Sequence, residues 1–129
     1  MEKEENFTII KRSRIDYPRS SFKQIKEDIL GADYCLSLVF IGDKRSRYLN
    51  ETYRGKASPA NILSFPLSPD EGEIFINLRK ARDTAPDFQM SFREFVLYLF
   101  IHGILHLKGM QHSGTMEKEE KRLFSYYMH

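Results

Sequence analysis

The pattern along the chain predicts an α+β fold built on one small sheet. Four short runs rich in β-branched and aromatic residues, at 6–11 (NFTIIK), 34–41 (YCLSLVFI), 61–67 (NILSFPL) and 73–78 (EIFINL), read as strands. Stretches with helical spacing of apolar residues lie between and after them, so the order is βαβαββ and then helices. Size is the third observation. The chain has 129 residues, 41% hydrophobic and 29% charged. That suffices for one domain over 1–129 with a core needing no covalent staples, and it excludes a disordered tail or a fibrous repeat.

Each element has local cues. Residues 20–30 put Phe22, Ile25, Ile29 and Leu30 at helical spacing, with Gly31 as a stop. The run 34–41 is apolar enough for a buried strand. Asp43 is read as the N-cap of a helix running through Tyr48, Leu49, Thr52 and Tyr53 to Arg54 and ending at Gly55. Ser68-Pro69-Asp70-Glu71-Gly72 is a turn signal that makes a hairpin of the two strands around it. Residues 79–84 read as a short helix before Pro86. Ser91 and Glu94 form a capping box, with Met90 and Phe95 at the staple positions. Residues 95–108 (FVLYLFIHGILHLK) are apolar on nearly every side, so this helix is expected to be buried, with Gly109 just past its end. Residues 116–127 form a last amphipathic helix that packs through Met116, Leu123, Phe124 and Tyr127.

The net charge of +2 is small, but it is unevenly spread. Residues 11–56 carry eleven Lys or Arg against six Asp or Glu, and residues 57–129 carry eight against nine. A basic first half of this kind can attract a polyanion; it can equally be solvated surface. One cysteine, Cys35, excludes an intrachain disulfide and fits a reducing compartment. The acidic start MEKEE leads into no apolar signal region, and the longest nearly apolar run falls short of the roughly 20 residues a membrane helix needs. A soluble cytoplasmic protein is expected.

The histidines carry the chemistry. His102, His106 and His112 fall within HGILHLKGMQH. Residues four apart on a helix share a face, so His102 and His106 can offer two imidazole nitrogens to one cation. Gly109 lets the chain turn so that His112 can supply a third. Three imidazoles suit zinc or another divalent transition metal and leave one position open, the mark of a catalytic site. The spacing is also that of zinc proteases whose general base is a Glu after the first histidine; here that residue is Gly103, which cannot take a proton. Phosphodiester cleavage can proceed without it, given a metal and a cationic clamp for phosphate.

The same window resembles the signature of the YbeY family, bacterial zinc-dependent endoribonucleases of ribosomal RNA maturation. Residues 49–56 (LNETYRGK) are similar to its helix ending in Arg-Gly-Lys, and 59–66 (PANILSFP) to its T-[DN]-V-L-S-F-P strand. Glu71-Gly72-Glu73-Ile74 falls where the family has Gly-Asp-Ile. The resemblance implies a four-stranded mixed sheet packed with helices, zincin-like, with the metal helix central and buried. It implies zinc on His102, His106 and His112, and Arg54 in the substrate cleft. It implies single-strand-specific cleavage of RNA in 16S rRNA 3′-end processing and ribosome quality control, with the small subunit or its proteins as partners. Met110-Gln111 stand where the family has Tyr-Asp, and Ala60 where it has Thr. No residue is therefore assigned as general base.

Ser64 and Phe65 are candidate cleft residues, Phe65 more readily a core residue. Two other readings remain at this point. One is a metal-dependent hydrolase of a peptide or small ester, drawing a carboxylate from elsewhere, such as Glu73. The other is a non-catalytic ribosome-assembly factor whose zinc only holds the C-terminal helix.

Overall fold

The computed structural model describes residues 2–110 and 113–128, the first three as backbone only. The elements run β1 (Glu2–Glu4), β2 (Phe7–Lys11), α1 (Phe22–Leu30), β3 (Cys35–Ile41), α2 (Asp43–Arg54), β4 (Ile62–Ser68), β5 (Glu71–Asn77), α3 (Leu78–Thr84), α4 (Phe92–Leu107) and α5 (Gly114–Met128), with a 3-10 turn at Ala85–Phe88. The sheet order is β1-β2-β3-β5-β4. Strands β2, β3 and β5 are parallel, and β4 is antiparallel to β5. This is the expected four-stranded mixed sheet of an α+β fold. β1 adds a short antiparallel strand at its edge, which the polar sequence Glu-Lys-Glu did not announce.

Strand alternation divides the sheet into two faces. Phe7, Ile9, Leu36, Leu38, Phe40, Ile74 and Ile76 point into the main core with α1 and α4. Phe22 of α1 bridges the layers: its ring lies 6.0 Å from that of Phe40 and 5.0 Å from that of Phe100 on α4. Nine residues of α4 are buried, as its apolar sequence requires. The other face carries Phe75 and Phe65, and Tyr53 of α2 packs on Phe65. Phe65 is thus a packing residue rather than a cleft residue.

The start of α4 is held by the expected capping box. The Ser91 backbone N–H donates to Glu94 Oε1 at 2.8 Å, and the Glu94 N–H donates to Ser91 Oγ at 3.1 Å. Ser91→Ala is expected to cost about 1 kcal/mol, read as a lower urea midpoint with an unchanged slope. The helix ends at Gly109, whose φ of 103° suits glycine and turns the chain away from the helix axis.

At the start of α2 the expectation is corrected. The N-cap is Gly42, and Asp43 lies in the first turn. The Asp43 carboxylate is drawn elsewhere: Oδ1 accepts from Asn77 Nδ2 at 2.8 Å, and Oδ2 lies 3.8 Å from Arg79 Nε. No single helix among the described residues is long and apolar enough to cross a membrane.

Candidate metal centre

His102 and His106 stand one turn apart on the half-buried edge of α4, beside its fully buried stripe. Their rings lie 4.6 Å apart at 77°, and the two Nε2 atoms face each other at 3.1 Å. Two nitrogens bound to one tetrahedral zinc at about 2.0–2.1 Å are separated by about 3.3 Å, so this spacing fits one edge of such a site. The third expected ligand, His112, and Gln111 before it lie outside the described residues. Among the described residues no three His, Cys, Asp or Glu side chains form a metal-holding group.

The remaining nitrogen of His102 is engaged by α5. Nδ1 of His102 makes a short contact with Glu120 Oε1. The second Glu120 oxygen accepts from Tyr98 Oη at 2.9 Å. Burial, reinforced by that bond to Glu120, pushes the Tyr98 hydroxyl up to about 12, so it stays a proton donor at neutral pH. A carboxylate accepting at Nδ1 makes Nδ1 the protonated nitrogen and turns the Nε2 lone pair toward His106. Glu120 is 3% exposed and has no Lys or Arg partner among the described residues. A buried carboxylate is costly without positive charge nearby. The Tyr98 hydroxyl and the His102 ring are the polar groups that face it.

Sequence reasoning did not single out Glu120 or Tyr98, although a signal was present. Met116, Glu120 and Leu123 are the three buried residues of α5, four and three positions apart. A carboxylate inside an apolar stripe needs a buried partner, and the facing helix α4 holds it.

Gly103 follows His102 and faces the sheet. A Cβ there would lie 2.9 Å from both Ile62 Cδ1 and Ser64 Oγ, and 3.1 Å from Ile74 Cδ1. Glycine therefore sets how closely α4 approaches β4 and β5. The protease-type glutamate has no room at this position. Glu73 does not replace it: by strand alternation it shares the side of Phe75, away from Ile74 and α4.

Two clefts meet at the histidines. The larger, about 690 Å³, contains Arg54, Asn61, His102, Glu117 and Glu120. The smaller, about 400 Å³, runs along edge strand β4 past Arg54, Ser64, His102 and His106. Arg54, the last residue of α2, lines both. Ser64 lines the smaller one, and its hydroxyl lies 3.4 Å from the Gly103 carbonyl. His102, His106, Arg54 and Ser64 are thus brought together. Cys35 is exposed at the start of β3, outside both clefts.

Residues 3–127 match the model of a family described as Endoribonuclease YbeY. A protein of that description from Alkaliphilus metalliredigens is 36% identical over 101 residues, covering 70% of this chain and 65% of the relative. One from Petrotoga mobilis is 33% identical over 105 residues, covering 79% of this chain and 72% of the relative. The chain spans just under two thirds of the first relative's length and somewhat more of the second's. The solution structure of TM1509 from Thermotoga maritima matches with a TM-score of 0.65 and 25% identity, over 92% of this chain and 86% of that one.

Proposed function

Because this chain belongs to the YbeY family of endoribonucleases, we propose that it is a zinc-dependent endoribonuclease specific for single strands. In this reading it acts in the cytoplasm on ribosomal RNA, in 16S rRNA 3′-end maturation and ribosome quality control, with the small subunit or its proteins as partners. His102, His106 and His112 hold one zinc ion, a donor set that other divalent transition metals also accept. The observation that carries the reading is the pair of Nε2 atoms 3.1 Å apart, beside clefts that also hold Arg54.

The chemistry such an ion supplies is polarisation of a phosphoryl oxygen and acidification of water to near neutral pH. The chain's own residues have distinct tasks. Glu120 holds the His102 ring and its tautomer, and Tyr98 holds Glu120. The Arg54 guanidinium clamps a phosphate, which its planar fork can engage through two hydrogen bonds. The open clefts admit an extended strand along β4. A peptide-hydrolase reading loses both proposed sources of its base, since Gly103 abuts the sheet and Glu73 faces away.

Zinc-loaded protein is expected to cut single-stranded RNA and to spare a duplex of the same sequence. Cleavage of a peptide with RNA untouched would replace this reading with the hydrolase one. Arg54→Gln is expected to keep full zinc content while turnover falls about tenfold, the worth of one charge-assisted hydrogen bond. A folded Arg54→Gln protein with full activity would remove Arg54 from the site.

A further inference from the structure

A third cleft, of about 870 Å³, opens near the start of α2 and contains Arg12, Arg14, Lys44, Arg45, Tyr48 and Arg79. It sits beyond the carboxyl ends of parallel strands β2, β3 and β5, which finish at Lys11, Ile41 and Asn77. In open sheets of this kind that crevice is the usual place for a ligand. The backbone N–H of Arg12 donates to the Phe40 carbonyl at 2.6 Å, so the arginine-bearing segment after β2 starts from a fixed point. The one carboxylate in the cleft, Asp43, is already engaged by Asn77 and Arg79. Arg12, Arg14, Lys44 and Arg45 form no salt bridge with any described carboxylate. Tyr48, 64% exposed, presents a free aromatic surface among them.

Cations without a carboxylate partner among the described residues, set around an exposed aromatic ring, are the elements of a single-strand binding groove: the charges track phosphates and the ring stacks a base. Helix α2 links this cleft to the clefts at the histidines. α2 runs from Gly42 and Lys44 at this cleft to Arg54 at the histidines, and Lys44 and Arg54 are about 15 Å apart along its axis at 1.5 Å per residue. Arg45, Arg47, Tyr48 and Glu51 are exposed along the way, so the track is mainly basic. At about 3.4 Å per stacked nucleotide the distance corresponds to four or five nucleotides.

We infer that this basic cleft is a remote anchoring subsite for the sugar-phosphate backbone of single-stranded RNA, several nucleotides from the scissile bond. The inference rests on the ribonuclease reading and deepens it. It gives a role to Arg12, Arg14, Lys44 and Arg45, which belong to the basic first half and lie at the carboxyl ends of the parallel strands.

The test compares labelled oligouridylates of about 12 and about 2 nucleotides, the shorter unable to reach across the roughly 15 Å between Lys44 and Arg54. Fluorescence anisotropy over a salt series reads binding, and kcat/KM reads cleavage. The triple variant Arg12→Gln, Arg14→Gln, Arg45→Gln is expected to bind the longer RNA about tenfold more weakly, with a log K against log salt slope shallower by about 2. The preference of the wild type for the longer RNA, as a ratio of kcat/KM values, is expected to fall toward one. Should the triple variant not fold, the double variant Arg12→Gln, Arg14→Gln carries the same test with a slope change of about 1.4. An unchanged slope and length preference, in protein that cuts RNA, overturns the subsite and leaves the ribonuclease reading standing. Wild-type protein that cuts neither length overturns that reading, and the cleft's role as a substrate anchor with it.

Discussion

His106→Ala is expected to abolish zinc binding and RNA cleavage together while leaving the fold intact. The imidazole projects from α4 toward the clefts, outside the buried stripe, so its removal leaves no core cavity. It takes away one of the two Nε2 atoms that face each other at 3.1 Å. The charge stabilisation that a metal gives a phosphoryl transition state is worth several kcal/mol, so turnover should fall about a thousandfold. Far-ultraviolet circular dichroism reports the fold, and metal analysis of the dialysed protein reports the site. A variant that loses zinc yet still supports ribosome maturation in cells would make this an assembly factor rather than a nuclease.

Glu120→Ala should damage both stability and the site. The carboxylate is buried and serves two partners, Tyr98 Oη and His102 Nδ1. Truncation leaves the half-buried Tyr98 hydroxyl without its acceptor, which costs about 1–3 kcal/mol. It also frees the His102 ring to rotate or change tautomer, and loss of such an outer partner typically lowers metal affinity about 10–100-fold. Glu120→Gln separates the two effects. It keeps the shape and one acceptor oxygen, so most of the stability should return. The negative charge behind the imidazole is gone, so zinc affinity should stay low. Urea unfolding and competition with a zinc-binding dye measure the two quantities. Zinc affinity equal to wild type in folded Glu120→Gln would show that Glu120 only packs.

The parts of the site that lie within one helix were legible in the sequence. A four-residue spacing fixes a shared face whatever the tertiary packing, so His102 and His106 could be paired before any fold was known. The same holds for the capping box at Ser91 and Glu94. What depends on how helices dock could not be read this way. Glu120 meets His102 only because α5 lies against α4, and no local pattern sets that register. Gly103 was legible as the lack of a base, but its fit against Ile62, Ser64 and Ile74 belongs to the packing of α4 on the sheet. The local sequence around Asp43 suits a cap, whereas Asn77 and Arg79, more than thirty residues away, recruit its carboxylate. The basic excess was visible as a count, and only the sheet's parallel strand ends turn it into a cleft.

The most direct test of the central claim is to strip the protein with a chelator, confirm by elemental analysis that it is metal-free, and titrate zinc back while following cleavage of single-stranded RNA. The account predicts no cleavage by the stripped protein and full recovery at one zinc ion per chain. Undiminished cleavage by metal-free protein, or recovery that does not saturate at one equivalent, would contradict it.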